Sequence, residues 1–213
     1  MNRAGTTTDA ERDESPAFSV IGPLGRARTY RNLLYLLVTF PLGVAYFVVL
    51  TVGVALGVGL TVVLVGIPLL IGVVLGTRYL CAFERELANE LLMLDISSPE
   101  DAITDETAPW PRIRARLVAR STWRGIVYLA LKLPLGIVTF GLLVTSLSLS
   151  VGLILAPLVY TVPGAGIDLG VWTIDTLAEA VIAVPVGLIG LLVSIHLFNL
   201  TARLLGRVAR ALL

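Results

Sequence analysis

Between Arg31 and Arg78 the chain runs for 46 consecutive residues, Asn32 to Thr77, without Asp, Glu, Lys or Arg. As one helix this run would reach about 70 Å at 1.5 Å per residue, more than twice a hydrocarbon core of about 30 Å, so it predicts two crossings of a membrane. Gly53, Gly57 and Gly59 are the turn signals in its middle, which puts spans at about 33–54 and 58–80 in a tight hairpin. Pro41 and Pro68 fall inside those spans and are expected to kink them. In the second half, Leu133 to Ile167 is an uncharged stretch of 35 residues, long for one span and short for two. A third span is expected at about 126–150, and Ala180 to Ala202, 23 uncharged residues, makes a last one. Val151 to Ile167, with Pro157, Pro163, Gly164 and Gly166, either extends the third span or forms a re-entrant or external segment.

Basic residues decide the topology, because Lys and Arg gather on the cytoplasmic side of membrane spans. With four spans, all fifteen arginines fall in the N-terminal tail, the central connection or the C-terminal tail, and Lys132 lies near the inner end of the third span. A five-span arrangement would put Arg203, Arg207 and Arg210 outside. Four spans with both termini cytoplasmic is therefore the expectation, with an external loop at about 158–180 that holds Asp168, Trp172, Asp175 and Glu179 and no basic residue. Residues 1–23 and 95–111 are acidic and polar and are expected to be flexible cytoplasmic segments. The first apolar run starts about 30 residues in, after this acidic tail, so no cleavable signal peptide is expected.

A helical period of three and four continues past the second span. Leu80, Phe83, Leu87, Leu91 and Leu94 form an apolar stripe, and Glu84, Glu86 and Glu90 lie on the other face. The C-terminal segment offers Leu204, Leu205, Val208 and Leu212 beside Arg203, Arg207 and Arg210. These two amphipathic extensions either pack on each other, with charge pairs at the rim setting register, or lie separately on the inner leaflet.

Composition agrees with a membrane chain and narrows the chemistry. Of 213 residues 56% are hydrophobic and 15% charged, against about 25% charged in soluble domains. Mean hydropathy is +0.90. One cysteine, Cys81, excludes an intrachain disulfide, and one histidine, His196, excludes a histidine-rich metal site. A net charge of +1 gives no electrostatic case for nucleic-acid binding. No nucleotide loop, catalytic carboxylate pair or nucleophile with its base is visible, so neither an enzyme nor a cofactor is expected.

Comparing the halves at an offset of 93 residues aligns Thr29-Tyr30-Arg31 with Thr122-Trp123-Arg124, Tyr35-Leu36 with Tyr128-Leu129, Pro41-Leu42-Gly43 with Pro134-Leu135-Gly136, and Phe47 with Phe140. Pro68 matches Pro185 if the second half carries an insertion of roughly 24 residues, the external loop. The fold expected is all-α and integral to the membrane: four transmembrane helices as two repeated, proline-kinked helical hairpins of like orientation, residues 29–94 and 112–213, with cytoplasmic amphipathic extensions.

Through TYRNLLYLL with FPLG (Thr29 to Gly43), VGIPLL (Val65 to Leu70), TWRGIVYLALKLPLG (Thr122 to Gly136) and LAPLVY (Leu155 to Tyr160), the chain resembles the putative sensor domain family. That module precedes the kinase region of many actinobacterial histidine kinases and stands alone in halophilic archaea. The resemblance covers residues 24–213 and implies a non-enzymatic sensing or signal-input role. Because the chain ends at Leu213, output through a separate cytoplasmic protein is expected.

The candidate residues divide accordingly. Asp168, Trp172, Asp175 and Glu179 are candidates for an external sensing loop, or form a solvated loop with an interfacial tryptophan. Lys132 either snorkels to lipid phosphate or is a buried charge coupling helices through a polar group on another span. Glu84, Glu86, Glu90, Arg203, Arg207 and Arg210 are candidates for coupling at the cytoplasmic face, and Arg31, Pro41, Gly43, Arg124, Pro134 and Gly136 carry the repeat. Expected partners are membrane lipids and a cytoplasmic signalling protein or a second copy of the chain. A small transporter or lipid-handling protein, or a membrane scaffold, is the alternative reading.

Overall fold

The computed structural model describes residues 27–99, 109–162, 167–168, 170 and 173–213; the acidic tail over 1–23, residues 100–108 of the central connection and Trp172 lie outside them. Four helices are long and apolar enough to cross a membrane. Helix α1 runs Ala27–Gly59, followed by a 3-10 turn over Leu60–Val63; α2 is Gly66–Leu92; a short α3, Pro109–Val118, leads into α4, Arg120–Val159; and α5 is Leu177–Leu212. Between α4 and α5, β1 (Ile167–Asp168) and β2 (Thr173–Ile174) pair antiparallel. The architecture is thus a multi-pass helical membrane protein in which α4 packs extensively on both α1 and α5.

The expected turn at Gly53 to Gly59 falls later in the structure, at residues 60–65, where Leu64 takes a left-handed conformation (φ 61°). Gly53 and Gly57 serve packing instead, while Gly59 faces open space. A Cβ built on Gly57 would lie 2.4 Å from the Leu70 side chain, and one on Gly66 would run into the Gly57 carbonyl. With no water in the hydrocarbon, continuing the helix satisfies more backbone groups than an early turn would, so glycine does not end a helix here as it does in solution. Helix α4 likewise continues through Pro157 to Val159, so Val151 to Val159 extend it, while residues 163–166 lie outside the described residues.

Close backbone approach sets the helix pairs. A Cβ on Gly43 would sit 2.8 Å from the Lys132 carbonyl oxygen, and one on Gly136 would sit 2.8 Å from the Phe40 Cα, so α1 and α4 cross where only glycine fits on either side. Gly187 plays the same part between α5 and α4, 2.8 Å from the Ser150 carbonyl oxygen. Phe40 and Phe140 stack beside the first crossing, with ring centroids 4.9 Å apart.

One end of the bundle is tied by polar contacts. The Asn32 amide donates to Asn199 Oδ1 at 2.7 Å, joining the start of α1 to α5. Arg78 donates to Thr122 Oγ1 at 2.6 Å, the Arg124 guanidinium donates to the Ala211 carbonyl, and Arg85 reaches the Leu213 carbonyl. At the end of α2, Met93 adopts φ 54°, and the Asn89 side chain then accepts from the Ile96 amide at 2.9 Å and donates to the Ile96 carbonyl at 3.2 Å. This pair of hydrogen bonds follows the end of the helix at Leu92 and accompanies the return of Leu94 to Gly206 of α5.

Candidate functional site

The distinguishing feature of the interior is a buried ion pair. Lys132 Nζ on α4 lies 2.7 Å from Glu84 Oε2 on α2, and the two side chains are 1% and 0% exposed. Among the described residues it is the ion pair the structure contains. Each partner is wrapped by tyrosines. Tyr46 of α1 donates its hydroxyl to Glu84 Oε1 at 2.8 Å, and Tyr128 of α4 donates to Oε2 at 3.1 Å, so both carboxylate oxygens are satisfied. Lys132 also donates to the Tyr35 hydroxyl at 3.3 Å, with its ammonium 4.6 Å from the centre of the Tyr35 ring, and the Tyr35 hydroxyl donates to that of Tyr128 at 3.3 Å, whose own proton goes to Glu84. A lone charge so fully buried would be costly; pairing, full hydrogen bonding and a cation–π contact are the features that make burial tolerable.

Helix geometry explains how the residues converge. Tyr128 and Lys132 are four apart on α4 and share a face. On α2, Thr77, Cys81, Glu84, Ala88 and Leu92 form the buried stripe at spacings of three and four. Of the expected apolar stripe of Leu80, Phe83, Leu87, Leu91 and Leu94 opposite Glu84, Glu86 and Glu90, the four leucines are half-buried against the core, and two residues depart from the pattern. Phe83 is 48% exposed and Glu84 is fully buried. The physical reason is that Lys132, Tyr46 and Tyr128 together satisfy both oxygens of Glu84, whereas Glu86 and Glu90 have no such partners among the described residues and stay exposed. The expected rim pairs are also absent among the described residues, where none of Arg203, Arg207 and Arg210 pairs with Glu84, Glu86 or Glu90. The second helix and the C-terminal helix do meet, through Ala88 and Leu92 against Ala202 and Leu205.

Lys132 therefore takes the buried, helix-coupling arrangement of the two open to it. Tyr35 and Tyr128, which matched at the offset of 93 residues, face each other across the site, and Thr39, aligned with Lys132, is also buried. Arg31, Pro41 and Pro134 face outward, and Gly43 and Gly136 make the close crossing beside the site. Sequence reasoning did not single out Tyr46 or the Asn32–Asn199 contact. A polar residue at the spacing of Cys81 and Ala88 on α2 was the available signal for Glu84, and the pairing of one asparagine per long apolar helix was the signal for the second contact. Cys81 itself is buried against Gly125, which leaves no exposed thiol there for acylation.

At the other end, the acids of the connection have local structural partners. Asp168 Oδ1 accepts from the Gly170 amide at 2.7 Å. Glu179 belongs to a capping box at the start of α5: Thr176 Oγ1 accepts from the Glu179 amide, and the Glu179 carboxylate accepts from the Thr176 and Asp175 amides. Asp175 is exposed. No three His, Cys, Asp or Glu side chains gather to hold a metal ion among the described residues.

A family model described as Putative sensor matches residues 35–213, nearly the whole membrane bundle and every member of the ion-pair site. The chain belongs to this sensor family. No curated protein and no solved structure matches it.

Proposed function

We propose that the chain is a non-enzymatic signal-input module of the cell membrane, with both termini cytoplasmic, that relays a cue to a separate cytoplasmic partner. The observation that carries this reading is the Lys132–Glu84 pair, which with Tyr35 and Tyr46 ties α1, α2 and α4 at one point. Glu84 lies eight residues, about 12 Å, before the end of α2, and that end packs on the last turns of α5. A shift of α2 relative to α4 must either move with the pair or break it. The clasp thus gives the bundle two packing states, and a cue acts by favouring one of them. The arginine-bearing end then presents the change to the partner, in line with the distribution of basic residues along the chain.

The bundle reads further as two repeated hairpins. Burial repeats with the offset of 93: Thr29 and Thr122, Tyr35 and Tyr128, Leu36 and Leu129, Thr39 and Lys132, and Gly43 and Gly136 are all buried. On this reading an ancestral pair of equal hairpins was made asymmetric by placing a lysine at one of two equivalent positions, and Pro41 and Pro134 are hinge points beside it.

Crosslinking in native membranes, followed by co-purification of wild type and Lys132→Met, tests the relay. A soluble protein held at fixed stoichiometry by wild type and released by the variant is the expected result. Equal recovery with both proteins, or no specific partner for folded wild type, overturns it.

A further inference from the structure

The charges at the terminal end of the bundle are arranged differently from those of the clasp. Arg203, Arg207 and Arg210 follow one another at spacings of four and three on α5, so they share one face. Together with Arg28 from the start of α1 they line a cleft of about 180 Å³, whose wall includes Leu92 and Leu94. All four arginines are exposed, and none forms an ion pair among the described residues. Four guanidinium groups around one cleft repel one another unless an anion or water lies between them, and a guanidinium fork matches a phosphate oxygen pair.

Two further features bear on the kind of anion. The cleft is smaller than a drug-sized pocket of about 300–1,000 Å³, in keeping with a headgroup. It also adjoins a lipid-facing stripe: Ile189, Val193, Leu200 and Leu204 of α5 are all at least 48% exposed, and their spacings of four, seven and four lead onto Arg207. An amphiphile with its phosphate among the arginines would lay its chain along that stripe, where the bundle meets the bilayer.

We infer that this cleft is a binding site for the phosphate of an anionic phospholipid. The inference stands independently of the relay proposed for the clasp, since the two sites share no side chain. The test uses the full chain in detergent with phosphatidylglycerol or phosphatidylcholine added, read by native mass spectrometry. One phosphatidylglycerol is expected to bind at least tenfold more tightly than phosphatidylcholine. Arg203→Gln/Arg207→Gln should lose about tenfold of that affinity, as two interfacial arginines at about a factor of several each imply. Arg114→Gln/Arg116→Gln, which removes the same charge from α3, should leave it unchanged. Competition by millimolar inorganic phosphate separates the sources: if it leaves bound lipid in place, the headgroup is the ligand, and if it displaces lipid stoichiometrically, the lipid assignment is overturned in favour of a soluble phosphate. Equal loss in both double variants, or no preference between the two lipids, overturns the site altogether.

Discussion

Two sets of charges in this protein have opposite fates. Lys132 and Glu84 are sealed among three tyrosines, every carboxylate oxygen occupied, whereas Arg28, Arg203, Arg207 and Arg210 line an open cleft and pair with no carboxylate among the described residues. The difference follows from what each must satisfy. A charge sealed inside the bundle has no water to fall back on and must find its partners on other helices, so it ties those helices together. An exposed charge is already solvated and is left free to meet something outside the protein. The first set holds internal geometry, and the second is the set we infer to meet a ligand.

The largest effect should come from breaking the closed set. Either Lys132→Met or Glu84→Met alone leaves an unpaired buried charge and should destabilise the bundle by about 3–5 kcal/mol, while the double variant recovers most of the loss. Chemical unfolding of all four proteins in lipid micelles measures the coupling; strictly additive losses would remove the clasp from the account. Next in size is Gly136→Val, which forces side-chain atoms into the α1 backbone at Phe40 and should cost about 1–3 kcal/mol, read as a lower midpoint in the same assay. Asn199→Leu unpairs the Asn32 amide at the tied end and should cost about 1 kcal/mol, with faster hydrogen exchange at the start of α1. Smallest in global terms is Thr176→Ala, which removes the cap of α5; about 1 kcal/mol is expected, seen as fraying of the first turn without loss of the clasp.

The four spans were legible because an uncharged run longer than the bilayer is thick leaves no alternative to crossing it. The close pairing of α1 with α4 was legible in part, through Tyr35, Gly43 and their counterparts Tyr128 and Gly136. Lys132 drew notice as the lone lysine in an apolar helix, which is half of the site. Its partner was hidden because Glu84 sits in a charged segment with Glu86 and Glu90, which are exposed, and only contacts with Lys132, Tyr46 and Tyr128 on other helices turn it inward. The glycines of the first hairpin misplaced the turn, since Gly53 and Gly57 serve close contact and the chain reverses at Leu64 instead. The cleft depends on which side chains of α1 and α5 meet across the bundle, and spacing within one helix carries no such information.

The central claim is that the Lys132–Glu84 pair fixes where the end of α2 sits on α5. Spin labels introduced as Met93→Cys and Leu204→Cys, both on exposed positions while Cys81 stays buried, report that distance by pulsed electron resonance. In lipid bilayers the pair-intact protein should give one narrow distance distribution, and Lys132→Met should broaden it or add a second, longer component. The same narrow distribution in a folded Lys132→Met variant would contradict the account.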